Sequence, residues 1–300
     1  MEQQFLQRMK DIALRGGEIA LGLIEDSSPA LKADKSVITR ADIEIAGLVR
    51  SSLADLLKSP QHLLIDEEDP QNVQYLDHAR LESTPFIWVV DPIDGTLSFS
   101  HRMPNFAISL GLLKDLKPWL GVTYFPLLKE LFFCNGQQSF FVQKAFTDEE
   151  KSTLITPTDQ TITPQSIFLC SDTFFRTFDW DFSFCHVMSP FCAVIDLCWP
   201  AINRGCGSFF KAHLWDFAGS WPIFRSAGLD LRAYTSGQVL ARLDVDSFIR
   251  QGKVPWKLKD YYILSSERNF PLIKSKINPK VDLQKRKGDP LTRPRRIKVK

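Results

Sequence analysis

Apolar positions along the first fifty residues recur with helical spacing. Phe5, Met9, Ile12, Ile19 and Leu23 lie three, four or seven apart, which predicts an amphipathic N-terminal helix that loosens at Gly16 and Gly17. Ser27, Ser28 and Pro29 interrupt the pattern. It resumes at Ile45, Leu48, Val49, Leu53 and Leu56, a second amphipathic helix, with Thr39-Arg-Ala-Asp42 as a capping-box-like start. Leu63-Leu-Ile65 and Ile87-Trp-Val-Val90 are short apolar runs that end in acids, the pattern of buried strands delivering side chains to a site at their ends. From Phe106 to Val142 four alternating segments (Phe106 to Leu113, Trp119 to Phe125, Glu130 to Cys134, Ser139 to Val142) read as an antiparallel meander.

Lys144 to Gln165 is polar and rich in Thr and Pro, so it marks the expected boundary between two halves. Beyond it, apolar Ile167 to Cys170 is followed by helical patterns over Cys192 to Ile202 and Trp215 to Ser226, mixed with short strands. The expected organisation is α+β: an N-terminal half over 1–150, a second half over 151–273, and a basic tail over 274–300. The tail is rich in Lys, Arg and Pro and poor in large apolar residues, and reads as mobile or lightly packed.

Composition narrows the function. At 44% hydrophobic and 24% charged residues over 300 positions, the chain has ample material for a core and the profile of a soluble globular protein. A net charge of +2 argues against a surface built throughout for nucleic acid, although Lys285-Arg-Lys287, Arg293, Arg295-Arg296, Lys298 and Lys300 form a local basic patch. Glu2, Lys10, Asp11 and Glu18 interrupt the apolar residues near the N-terminus, and no apolar run approaches the roughly 20 residues of a membrane span; a cytoplasmic location without membrane contact is expected. Six cysteines without a C-x-x-C pair point to buried, reduced thiols. The five histidines have no metal-binding spacing and read as surface or packing residues.

The chemistry concentrates at Asp91-Pro-Ile-Asp94-Gly-Thr96, where a strand stops and a helix can start. Such a turn can aim two carboxylates and the Ile93 carbonyl at one point, and Gly95 lets backbone approach a ligand closely. Oxygen-only donors suit a hard cation such as Mg²⁺, and an adjacent helix N-terminus suits phosphate. Asp-Pro and Asp-Gly also occur in plain turns, so context decides. Here a second acidic cluster, Asp66-Glu67-Glu68-Asp69, ends another apolar run, and Asp216 precedes the small-residue run after Trp215.

Asp91-Pro-Ile-Asp-Gly-Thr96 together with Leu214-Trp-Asp216-Phe-Ala-Gly219 resembles the two signature motifs of the inositol monophosphatase family, within the lithium-sensitive, Mg²⁺-dependent phosphatase superfamily. The likeness runs from about residue 5 to about 235. It implies a layered α-β-α-β-α sandwich and hydrolysis of a phosphate monoester on a small soluble molecule. By motif it assigns Glu67, Asp91 and the Ile93 carbonyl to one metal and Asp91, Asp94 and Asp216 to a second, two or three Mg²⁺ in all. Thr96 matches a threonine that orients the attacking water, with Glu67 and Asp42 as further catalytic positions. Asp94, Gly95, Thr96, Asp216 and Lys211 fall at substrate-contacting positions. A homodimer is compatible with the resemblance.

Lys32-Ala-Asp-Lys-Ser-Val-Ile-Thr39 and Glu67-Glu-Asp-Pro70 resemble segments of the CysQ-type 3'(2'),5'-bisphosphate nucleotidase branch, which points to 3'-phosphoadenosine 5'-phosphate as substrate. A cation at Lys211 would favour a second phosphate over a polyol hydroxyl, and a solvated lysine is the plain alternative. Phe191-Cys192 stands where the family usually has Gly-Ser, and Asp196-Leu197 is closer to the inositol branch, so inositol 1-phosphate and other sugar or polyol phosphates remain alternatives. A noncatalytic binding protein whose basic tail contacts RNA or another acidic partner is the reading from another class.

Overall fold

The computed structural model describes residues 1–26, 29–31, 37–158, 160–250 and 254–280. The basic residues from Lys285 onward, and Lys32 to Ser36 of the nucleotidase-like segment, lie outside the described residues. The first half runs α1 (Glu2–Leu23), β1 (Ala30–Leu31), β2 (Val37–Ile38), α2 (Arg40–Leu53), β3 (His62–Asp66), α3 (His78–Glu82), β4 (Phe86–Asp94) and α4 (Thr96–Ser100). A meander follows as β5 (Ala107–Lys114), β6 (Lys117–Phe125), β7 (Glu130–Asn135), β8 (Ser139–Gln143) and β9 (Lys151–Ile155). The second half contains β10 (Ile167–Cys170), α5 (Phe174–Thr177), β11 (Phe178–Trp180), β12 (His186–Met188), α6 (Ala193–Cys198), β13 (Ser208–Phe210), α7 (Leu214–Ala218), α8 (Trp221–Ser226), β14 (Asp230–Ala233), β15 (Tyr262–Ser265), α9 (Phe270–Lys274) and β16 (Ile277–Pro279).

Two sheets organise these elements. The larger has seven strands in sequence order β3 to β9, and only its β3/β4 pair is parallel. The smaller has the order β12-β10-β13-β15-β14. Side-chain alternation along β4 and β5 divides the core in two, since successive residues of a strand face opposite ways. Trp88, Val90, Ile108 and Leu110 pack against Met9, Ile12, Ile45 and Val49 of α1 and α2. Ile87, Val89 and Leu113 face α6 to α8 through Leu197, Phe217 and Ile223, which in turn rest on Phe210, Leu231 and Leu264 of the smaller sheet. The far side of that sheet, Phe168, Phe209 and Ile263, is closed by Phe174 of α5 and Ile273 of α9. The result is the expected α-β-α-β-α layering.

Three local expectations need correction. Helix α1 does not loosen at Gly16 and Gly17, because a Cβ on Gly17 would stand 2.5 Å from the Tyr124 ring and one on Gly16 3.3 Å from Ile108. There the absent side chain is what lets helix meet sheet, and this offsets the roughly 1 kcal/mol that each helical glycine costs. The helix expected over Trp215 to Ser226 is two, α7 and α8, interrupted at Gly219 and Ser220 where the chain lies against the sheet. Strand β9 falls inside the polar stretch read as a connection. It is an edge strand whose first four side chains are exposed, and its pairing with β8 is carried by backbone. All six cysteines are free and buried. Among the described residues no helix is long and apolar enough to cross a membrane.

Candidate active site

Parallel pairing of β3 and β4 puts both C-terminal ends at one edge, where open sheets gather functional groups. The ladder continues one residue past β3, with Glu67 N–H donating to Val90 O at 3.1 Å, so Glu67 lies beside Asp91. Asp66, next to it, has a structural part: buried, it takes an ion pair from Arg50 at 2.6 Å and the Glu68 N–H at 3.0 Å.

Asp91 and Asp94 are three apart, which on a regular strand would send them to opposite faces. A bulge prevents this. Against β5, Asp91 pairs with Ser109 and Asp94 with Ala107, so β4 carries one residue more than its partner over this interval and the parity is restored. Pro92, which has no N–H for a ladder, sits inside the irregular stretch. Gly95 then takes φ +85° and leads into α4; a Cβ there would come within 2.6 Å of Asn105 O.

Asp216 comes from the third layer. It occupies the first turn of α7, its Oδ2 accepting the His213 N–H at 2.7 Å. The close approach of α7 depends on paired glycines. Gly111 and Gly121 face each other on β5 and β6, and Cβ atoms there would stand 2.6 Å from Ala218 and 2.1 Å from Gly219 O. With those side chains absent, carboxylate oxygens of Asp91, Asp94 and Asp216 lie within 4.8 Å of one another.

The electrostatics are those of a site starved of positive charge. Asp91 is 2% exposed; burial first, then the charges of Glu67, Asp94 and Asp216, push its carboxyl well above the usual range. Asp94 is 5% exposed and is pushed up to about 7 by burial and by Asp216, despite hydrogen bonds from the Cys192 thiol at 2.7 Å and the Val194 N–H at 2.8 Å. Asp91 Oδ1 is buried without a hydrogen-bond partner. Converging oxygen donors, excess negative charge and an orphaned carboxylate oxygen together fit a hard divalent cation.

Around this cluster opens a cleft of about 560 Å³ that includes Glu67, Gly95, Thr96, Asp216, Lys211 and Phe191. Thr96 Oγ1 donates to Ile93 O at 2.9 Å and stands 3.4 Å from Asp42 Oδ1. Asp42 in turn caps α2, its Oδ2 accepting from Thr39 N and Oγ1 at 2.7 and 2.6 Å. All the residues picked from sequence therefore gather in one region, Lys211 with its ammonium on Lys259 O at 2.6 Å and 5.2 Å from the Tyr261 ring centroid.

Four cleft residues escaped the sequence reading as site groups. His213, expected as surface or packing, lines the cleft, its ring stacked on Trp215 and its Nδ1 3.6 Å from Asp216 Oδ2. Lys257 reaches the cleft through a bridge between its backbone and that of His213. Cys192 holds Asp94, and Asp196, 3% exposed with Oδ1 unpartnered, is pushed well up by burial and the nearby Asp94. His213 belongs to the same helix start as Asp216, whereas Lys257, Cys192 and Asp196 are brought to the cleft by packing between distant segments.

In this layered α+β fold, carboxylates from β4 and α7 converge at a strand end as a group able to hold a divalent cation. The model of the inositol monophosphatase family matches residues 2–268, and the chain belongs to that family, whose members are Mg²⁺-dependent phosphatases acting on phosphorylated small molecules. It is 27% identical over 247 residues to human inositol monophosphatase 1, covering 78% of this chain and 85% of that protein. It is 30% identical over 131 residues to the 3'(2'),5'-bisphosphate nucleotidase CysQ of Salmonella typhimurium, 43% of this chain and 50% of that one. Among solved structures, an IMPase/NADP phosphatase complexed with NADP and Ca²⁺ superposes with a TM-score of 0.71 at 16% identity, covering 92% of this chain and 95% of that one, a likeness of fold.

Proposed function

We propose that the chain is a 3'(2'),5'-bisphosphate nucleotidase that hydrolyses 3'-phosphoadenosine 5'-phosphate in the cytoplasm. The carrying observation is that two lysines, Lys211 and Lys257, are among the residues lining the same cleft as the carboxylate cluster, so that a second phosphate has a cationic partner within reach away from the scissile one. The CysQ likeness over part of the chain supports the same choice.

In this reading Glu67, Asp91, the Ile93 carbonyl, Asp94 and Asp216 hold two or three Mg²⁺. When bound, Mg²⁺ supplies Lewis acidity: it lowers the pKa of water and neutralises charge on the phosphoryl and leaving oxygens. The protein's own groups supply position. Thr96, fixed to Ile93 O and near Asp42, orients the attacking water, with Asp42 and Glu67 as proton acceptors. Cys192 and Val194 fix the rotation of Asp94, so that the carboxylate stays directed as the substrate enters.

The test is Mg²⁺-dependent phosphate release from 3'-phosphoadenosine 5'-phosphate against inositol 1-phosphate. A clear preference for the first is expected, and a clear preference for inositol 1-phosphate overturns the choice. That second substrate has a specific argument behind it, the longer match to human inositol monophosphatase 1. Asp94→Asn should abolish most turnover while leaving the fold intact; a noncatalytic binder would be indifferent. Light scattering on the full chain tests the homodimer.

A further inference from the structure

Phe191 is held in a conformation that a bulky residue avoids, and it is not buried there. Its φ is +58°, in the left-handed region where a Cβ crowds the following carbonyl, yet 46% of the residue is exposed. Core packing therefore does not account for the strain. The conformation is imposed from both sides: Asn105 Nδ2 donates to Pro190 O at 3.2 Å before it, and the Cys192 thiol donates to Asp94 Oδ2 at 2.7 Å after it. The Gly95 turn presses on the same spot, since a Cβ on Gly95 would meet Phe191 O at 3.2 Å and Cys192 Cβ at 3.1 Å. Anchoring to the metal-binding turn thus fixes the backbone that carries the ring, at the wall of the carboxylate cleft with Lys211 and Lys257 among the other lining residues.

An exposed aromatic ring on an anchored backbone, in a cleft that Lys211, Lys257 and an acidic, cation-seeking centre share, matches a ligand with a planar ring and phosphate groups. We infer that Phe191 is a specificity-determining residue whose ring stacks on the heteroaromatic base of a nucleotide substrate, selecting base-bearing phosphates over polyol phosphates. The inference rests on the nucleotidase reading above and deepens it. A polyol has no π-face to offer, so its binding draws nothing comparable from the ring.

Two measurements on the full chain test this. In the first, Mg²⁺-dependent phosphate release is followed for the wild type, F191L, F191G and F191Y with 3'-phosphoadenosine 5'-phosphate and with inositol 1-phosphate. F191L and F191G should raise KM for the adenine substrate, relative to that for inositol 1-phosphate, by on the order of tenfold with a smaller change in kcat, and F191Y should keep the wild-type ratio. A ratio unmoved in F191L and F191G, or moved equally in F191Y, overturns the role. In the second, calorimetry compares binding of adenosine 5'-monophosphate and ribose 5-phosphate to the wild type. Tighter binding of the adenine compound by on the order of tenfold supports stacking, and equal binding overturns it. Release of phosphate from neither substrate would sink the nucleotidase reading, while the calorimetric comparison would still decide for or against the ring.

Discussion

Replacing Asp94 by Asn should stabilise the protein in the absence of metal and destabilise it, relative to wild type, in the presence of Mg²⁺. Two unit charges 4.8 Å apart repel by about 3 kcal/mol at an effective dielectric of 20, and Asp94 faces both Asp91 and Asp216. Summing the pairs overshoots, because a buried carboxyl relieves the repulsion by binding a proton. Carried from an ordinary value of 3.8 to about 7, Asp94 destabilises the folded protein by about 4 kcal/mol once it is ionised. Since the folded value lies above the unfolded one, the metal-free wild type is free of this penalty below about pH 4, acquires it as pH rises, and carries it in full above about pH 7. Asn carries no charge at any pH and its carbonyl oxygen can still accept from Cys192 and Val194. In EDTA at about pH 8 the variant should melt higher by on the order of 5 °C, an advantage that shrinks toward about pH 5. Millimolar Mg²⁺ should reverse the order, because ligand binding to the folded state raises the wild type and has fewer donors in the variant. Differential scanning calorimetry across the two pH values reads all of this. A variant no more stable than wild type without metal at the higher pH, or an advantage unchanged at the lower one, would refute the charge argument.

Three further outcomes follow from contacts already described. Arg50→Ala strips the buried Asp66 of its ion-pair partner and should cost about 1–3 kcal/mol in urea unfolding; no loss would mean that the Glu68 N–H suffices to hold the Asp66 carboxylate. Gly219→Ala places a Cβ 2.5 Å from Ser109 Oγ and should cost about 1–3 kcal/mol, with part of the loss recovered in the Ser109→Ala background of a double-mutant cycle. Cys192→Ala removes a donor to Asp94 while Cys192→Ser keeps one, so the acidic limb of the pH–rate profile should move up in the first variant only; identical profiles would deny the thiol its orienting role.

How much of this was legible depended on whether a feature is local. Asp91, Asp94 and Asp216 declare themselves because their neighbours are constrained by the same turn or helix start, so the short motif carries the geometry with it. Within Asp66-Glu67-Glu68-Asp69 only the family likeness singled out Glu67; that Asp66 turns to Arg50 and Glu67 to the cleft is fixed by strand alternation and by the extra rung to Val90. Gly16 and Gly17 show the opposite failure. Helix propensity treats them as weak points, whereas Tyr124 and Ile108, more than ninety residues downstream, make them contact points. Lys257 gave no signal as a cleft residue, since nothing in its own neighbourhood distinguishes it from a solvated lysine, whereas Phe191 and Asp196 showed only as departures within the family likeness and not as groups lining the cleft.

The same distinction explains why the site and the fold stand or fall together. Asp91 and Asp216 are brought together by contacts that have no charge in them: the Gly111 and Gly121 pair on the sheet and the Ala218-Gly219 step of α7 laid across it. Those contacts must hold three carboxyl groups close together although, without a cation, each can ionise there only against the repulsion of the others. Tight packing on backbone, where a single added methyl meets main-chain atoms that cannot move aside, resists that repulsion better than flexible side chains would. Gly219 is therefore not interchangeable with alanine in this chain. It lets α7 settle onto Ser109 and Leu110 at a distance no side chain permits, and thereby sets how near Asp216 comes to the aspartate turn.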